Sequence, residues 1–182
     1  MNRSVLVIGS GVAGLTYALK VAEFATVLLI TKKENTESNT NYAQGGIAAV
    51  MSADDSPELH IEDTLTAGAG LCHLDAVEQM VREGPDQVRQ LIEWGARFSL
   101  EADAGEQPPH LALGREGGHS RHRIVHAKDL TGREVERTLS TAVQRHRNIR
   151  IHEHHAAVEL IVAEREGRQE VLGATVLDTV HG

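Results

Sequence analysis

The hydrophobic pattern changes period along the chain, and each change marks an element. "SVLVI" is a short apolar, β-branched run that predicts a buried strand, and it leads directly into glycines at Gly9, Gly11 and Gly14. Good helix formers then continue from Ala13 to about Ala22. "ATVLLIT" is apolar throughout, as a parallel strand covered on both faces would be, so the opening reads as strand, tight turn, helix, strand. "SPELHIEDTLTAGAGL" predicts a helix with Ser56 as N-cap, Pro57 at its first position and Glu58 and Glu62 in the early turns. "HLDAVEQMVREG" carries Val77, Met80 and Val81 at helical spacing, and "PDQVRQLIEWG" carries Val88, Leu91 and Ile92. Each stops at a glycine, Gly84 and Gly95, which predicts a pair of helices.

The later pattern is less regular. Residues 101–118, with Pro108-Pro109 and several glycines, read as a loop; "RHRIVHA" reads as a short strand before a helix from about Gly132 to His146. "NIRIHEH", "AAVELIVAE" and, beyond the turn "REGRQ", "EVLGATVLD" predict successive strands of an antiparallel piece. One stretch fits neither period. In "SNTNYAQGGIAAV" the Gly45-Gly46 pair would weaken a helix and the side chains do not alternate.

Composition narrows the class. With 182 residues and 41% hydrophobic content the chain can bury the core of one soluble domain, or of a piece of one. A net charge of −8 with no basic block argues against nucleic acid as a partner. Cys72 is the single cysteine, so no internal disulfide forms, and no apolar run approaches the roughly 20 residues of a membrane span. The apolar run at the start is too short for a signal-peptide core, and a cytoplasmic protein away from membranes is the expectation. No repeat, low-complexity tract or linker marks an internal boundary.

The glycines carry the first chemistry. In Gly9-Ser10-Gly11-Val12-Ala13-Gly14 the first glycine allows the tight turn, the second lets a pyrophosphate approach the backbone, and the third lets helix and strand pack closely. The helix N-terminus then faces the anion. A bare glycine hexad is weak evidence and could be an ordinary turn; flanked by strand, helix and second strand it predicts dinucleotide binding. The acidic residue that usually ends the second strand is missing, for the strand runs out as Ile30-Thr31-Lys32. Glu34 from the loop, or Lys32 meeting a polar or phosphate group, are the alternatives, beside a merely solvated "KKE".

"VLVIGSGVAGL", "SNTNYAQGGIAAV", "HIEDTLTAGAGLC" and "REGGHSRHRIVHAKDLTGRE" together resemble the L-aspartate oxidase family, within the fumarate reductase and succinate dehydrogenase flavoprotein group. The resemblance runs from about Ser4 to the end. It implies an α/β, Rossmann-like FAD-binding domain over residues 1–182, with a parallel sheet, inserted helices and an antiparallel strand segment. It further implies that this domain is incomplete at the C-terminus, the family's capping and C-terminal helical domains being absent. The cofactor implied is FAD, with Gly9, Ser10, Gly11, Val12, Ala13 and Gly14 at the pyrophosphate and Lys32 after the second strand. The odd loop, Asn39, Thr40, Asn41, Tyr42, Ala43, Gln44, Gly45 and Gly46, would wrap the flavin side. In the succinate dehydrogenase branch a histidine bound covalently to FAD stands where this chain has Asn39, so the resemblance implies non-covalent FAD. Glu116 of "REGGHS" is an acid that aspartate oxidases carry and the dehydrogenases lack; its implied role is to orient the substrate ammonium, against a plain loop acid paired to Arg115. The implied reaction is hydride transfer from the Cα of L-aspartate to FAD, giving iminoaspartate for quinolinate synthase in NAD biosynthesis, with oxygen or fumarate as acceptor. The family's carboxylate-binding arginines and histidine lie farther along than this chain reaches, so the chain alone is expected to be inactive; the segments that would complete the sheet and cover one face lie there too, so an unpaired strand edge and an apolar face are expected to make it poorly soluble. A truncated, non-catalytic FAD-binding module is the alternative, and a flavoprotein of the succinate dehydrogenase or fumarate reductase type, disfavoured by Asn39 and Glu116, is the third reading.

Other constellations weigh less. His152 and His154 would share one face of a strand and could hold an ion weakly, but no ligand set with established spacing appears, and no metal is expected. Cys72 reads as a buried small residue and Trp94 as a core residue at a helix end.

Overall fold

A computed structural model describes residues 3–35, 38–101, 110–128 and 130–182. In chain order its elements are β1 (Ser4–Ile8), α1 (Val12–Val21), β2 (Thr26–Ile30), a single 3-10 turn (Asn39–Tyr42), β3 (Ile47–Ala48), α2 (Pro57–Ala67), α3 (Leu74–Glu93), β4 (Leu113–Gly114), β5 (Ile124–Val125), α4 (Thr131–Arg145), β6 (Ile149–His152), β7 (His155–Arg165) and β8 (Arg168–Asp178). Pro108 and Pro109 of the expected loop lie outside the described residues. The chain divides into two compact units, Met1–Asn41 with Glu136–Gly182, and Tyr42–Val135.

In the first unit the predicted strand-turn-helix-strand opening is present. β1 and β2 pair in parallel from Ser4↔Thr26 to Ile8↔Ile30, and Leu15, Ala18 and Leu19 of α1 are buried together with Val27 and Leu29 of β2. The other edge of β2 takes β6, also in parallel, with Val27↔Ile149 and Ile30↔His152 in register. "NIRIHEH" is therefore a third strand of the parallel sheet, ordered β1-β2-β6, and not part of an antiparallel piece. The reason is the helix before it: α4 carries the chain back along the sheet, so the next strand runs the same way as β2. The antiparallel expectation holds for β7 and β8, which form a hairpin turned by Glu166 and Gly167, both at positive φ.

In the second unit β3, β5 and β4 form a small antiparallel sheet in that order. α2 begins as its sequence predicts, with Pro57 at the first position and the Ser56 hydroxyl oxygen accepting from the Leu59 N–H at 3.2 Å. The expected pair of helices is instead one, α3, which runs through Gly84 and Pro85 without a break. Pro85 forfeits the bond its nitrogen would make to Val81, a cost of about 3 kcal/mol in a helix interior. Val77, Val81, Val88 and Leu91 nevertheless form one buried stripe on both sides of the proline, and their combined burial keeps the helix continuous. Gly84 adds no support of its own, since a Cβ there would make only ordinary contact with Ala49 at 4.0 Å. Ile61, Val77 and Val81 make a buried cluster on which Leu65 and Cys72 pack.

Candidate functional site

The first unit holds a cavity of about 310 Å³ at the C-terminal ends of its parallel strands. Gly9 sits at φ +103°, with its N–H donating to the Ile30 carbonyl at 2.9 Å, a backbone path that favours glycine. A Cβ on Gly14 would lie 2.1 Å from the Gly9 carbonyl oxygen, so helix and turn can pack this closely only with glycine there. The N-cap of α1, Gly11, has no side chain to cap the helix, and the first turn holds no acid to offset its positive N-terminal end. One of its N–H groups, that of Val12, donates to Thr40 Oγ1 at 3.2 Å. The Ser10 hydroxyl is buried and donates to Thr31 Oγ1 at 3.0 Å, so Ser10 ties the turn to the end of β2 and leaves backbone to meet a ligand. Lys32 lines the cavity beside Gly9, Ser10 and Gly11; Glu34 is exposed and does not. A turn of small residues, a helix start with no acid in its first turn and a lysine match the demands of a pyrophosphate.

Sequence reasoning missed part of this wall. Ser38, His155, Ala156 and Ala157 also line the cavity. His155 arrives there because its N–H donates to the Thr31 carbonyl at 2.9 Å, a pairing between segments that carry no local signal for each other.

The second unit has an open cleft of about 400 Å³ lined by Gln44, Gly45, Gly114, Arg115, Glu116, Ile124, His126 and Lys128. Gly45 adopts φ +81°, and a Cβ there would stand 3.2 Å from Glu116 Oε1. Gly46 has a packing role, since a Cβ would meet Ile124 Cγ2 at 2.3 Å and the Val125 carbonyl oxygen at 2.6 Å. The glycine pair thus serves a left-handed turn and a close approach to β5. Thr131 Oγ1 donates to the Gly45 carbonyl, and the Gly132 N–H donates to Ala43 O at 3.2 Å. Tyr42 and Gln44 are exposed, as is Asn39 in the first unit, while Asn41 is half-buried and donates its N–H to the Ser38 carbonyl at 3.1 Å. Glu116 is exposed and forms no ion pair among the described residues, so the expected alternative of a pair with Arg115 is not formed.

The turn that carries Glu116 is pinned from below. Its carbonyl accepts from the His119 N–H at 3.3 Å, and the neighbouring Ser120 donates both its N–H and its hydroxyl to Asp63 Oδ2 at 2.8 Å. Arg123, fully buried, donates to both oxygens of Asp55 at 2.8 Å and to Asp63 at 2.7 Å. These bonds, led by the Ser120 N–H, hold the Asp63 carboxyl below the usual carboxylate range. His60 is buried nearby, and burial first, then the Arg123 charge, lowers its pKa.

The histidine-rich stretch does not make the shared face expected of it. β6 ends at His152, and His154 turns the chain at φ +59°. Cys72 is half-buried, its thiol 3.7 Å from the Thr64 carbonyl, and Trp94 is half-buried as the C-cap of α3.

Similarity to known proteins agrees with this geometry. A family profile described as "FAD binding domain" matches residues 4–181. The chain is 50% identical to the chloroplastic L-aspartate oxidase of Oryza sativa over 95% of its own length and 26% of that protein's. It is 44% identical to L-aspartate oxidase of Vibrio cholerae over 94% of its length and 32% of the other. The chain thus spans about a quarter to a third of the length of these relatives. Among solved structures, a quinol fumarate reductase of E. coli superposes with a TM-score of 0.84 at 30% identity, over 97% of this chain and 30% of that one. The match from residue 4 to residue 181, together with the likeness in fold to the quinol fumarate reductase, shows that the chain belongs to the FAD-binding domain family and that its cofactor is FAD.

Proposed function

We propose that this protein carries the cofactor-binding part of an L-aspartate oxidase, which converts L-aspartate to iminoaspartate with oxygen or fumarate as acceptor. The product would pass to quinolinate synthase in NAD biosynthesis. The observation that carries the reading is Glu116, an exposed carboxylate without an ion-pair partner among the described residues, set over Gly45 in a cleft that also presents Arg115, His126 and Lys128. A carboxylate among groups able to carry positive charge complements an amino diacid, whose one ammonium and two carboxylates have the opposite arrangement. FAD, when bound, supplies the acceptor for the hydride leaving the substrate Cα.

The chain's own residues do the holding. The turn from Gly9 to Gly14 and the start of α1 receive the pyrophosphate through backbone N–H groups, with Lys32 adding charge. Asn39 offers an amide, which forms no covalent bond to a flavin, so FAD is held non-covalently. Glu116 accepts hydrogen bonds from the ammonium and so orients the Cα–H.

Replacing Glu116 by Gln in the full-length enzyme tests the assignment. Losing a charge-assisted bond of about 1.5–3 kcal/mol raises the KM for L-aspartate roughly tenfold or more, while inhibition by succinate, which has no ammonium, stays unchanged. Equal losses for both ligands would remove Glu116 from substrate recognition. The fumarate reductase likeness supports a second reading as a dicarboxylate dehydrogenase. In that case succinate would be oxidised and L-aspartate would not.

A further inference from the structure

Glu136 is the carboxylate that the proposed reaction leaves unused. It lies on α4, 1% exposed, and no cation pairs with it among the described residues. Its two oxygens accept instead from hydroxyls, Ser38 Oγ at 2.7 Å on Oε2 and Ser140 Oγ at 3.3 Å on Oε1. Burial drives its pKa up, against the opposing effect of those two bonds. A buried acid held only by hydroxyls is costly to keep, which calls for a reason.

Ser38 supplies one, because it lines the cavity that holds the glycine turn and Lys32. It also begins the loop whose Thr40 accepts from Val12 at the start of α1. A serine hydroxyl has one proton to give and two lone pairs to offer. The 2.7 Å bond commits that proton to Glu136. What Ser38 then presents to the cavity is acceptor capacity alone, which suits a hydroxyl donor and repels a phosphate oxygen.

We propose that Glu136 is a positioning residue that fixes Ser38 as a hydrogen-bond acceptor in the FAD cavity, for a sugar or ribityl hydroxyl of the cofactor. The inference rests on FAD as cofactor and not on the identity of the substrate. Glu136 touches no part of the cofactor itself; it acts through Ser38.

The test is a double-mutant cycle on FAD affinity in the full chain, read by flavin fluorescence, with a thermal melt of each variant alongside. Ser38→Ala, a small change at a half-buried site, weakens FAD binding about five- to tenfold, the value of one hydrogen bond. Glu136→Leu weakens it by a similar factor, and Ser38→Ala/Glu136→Leu weakens it no further than either alone. Glu136→Gln, whose amide oxygen can still accept from Ser38, restores affinity to within about twofold. A purely structural Glu136 would move the melt and leave the cycle additive, which overturns the proposal. So would Ser38→Ala with unchanged affinity, a result that stands even where Glu136→Leu does not fold. A wild-type chain that binds no FAD would overturn it together with the cofactor assignment.

Discussion

Arg123 is fully buried between two aspartates, and removing its charge should be among the most damaging single changes in the second unit. In Arg123→Met the side chain keeps its bulk while both oxygens of Asp55, whose side chain is also 0% exposed, lose their 2.8 Å donors. Breaking a buried pair from one side typically costs about 3–5 kcal/mol, because a charge is left in low dielectric without compensation. At about 2–4 °C per kcal/mol for a chain of this size, the melting temperature should fall by roughly 10 °C. The internal control is Arg82→Met, which removes the exposed pair to Glu58 at 3.2 Å and should cost under about 1 kcal/mol. Thermal melts followed by circular dichroism at neutral pH, with bound FAD held constant, read both variants. A loss of less than about 1 kcal/mol for Arg123→Met, or equal losses for the two, would refute the reasoning. The functional echo is local: Asp63 also anchors Ser120, close along the turn from Glu116, so freeing it loosens the cleft.

Gly14→Ala places a methyl 2.1 Å from the Gly9 carbonyl oxygen, so FAD affinity should drop at least about tenfold; a variant that binds normally would show the cradle is not built as described. Glu136→Gln tests the raised carboxyl. A folded pKa above the unfolded one gives stability that is complete at low pH and lost as pH rises through the folded value, so the Gln variant should gain on wild type as pH increases; a gap that is constant or closes with pH contradicts it. Acid precipitation of the FAD-loaded protein should leave the flavin in the supernatant if FAD is held non-covalently as proposed from Asn39, and flavin in the pellet would show a covalent link.

Legibility in the sequence followed how local each signal is. The turn from Gly9 to Gly14 and the Ser56 cap were readable because every participating group lies within a few residues. α3 was misread as two helices because glycine and proline are punctuation only where no packed stripe spans them, and Val81 and Val88 sit on either side. β6 was misassigned because strand direction depends on its partner, β2, far away in the chain. The same distance hid Ser38 with Glu136, 98 residues apart, and Arg123 with Asp55, 68 apart. Both are polar pairs whose members look like solvated surface until the fold buries them. Glu116 was legible only through resemblance, since a single acid in a glycine-rich turn has no periodicity to single it out.

Titration of the full chain with FAD, followed by quenching of flavin fluorescence, tests the central claim most directly, because it isolates cofactor capture from everything the substrate requires. A glycine-rich turn, an α1 start with no acid in its first turn and Lys32 predict saturable quenching at one FAD per chain. Quenching that never saturates, or none at all, would contradict the account.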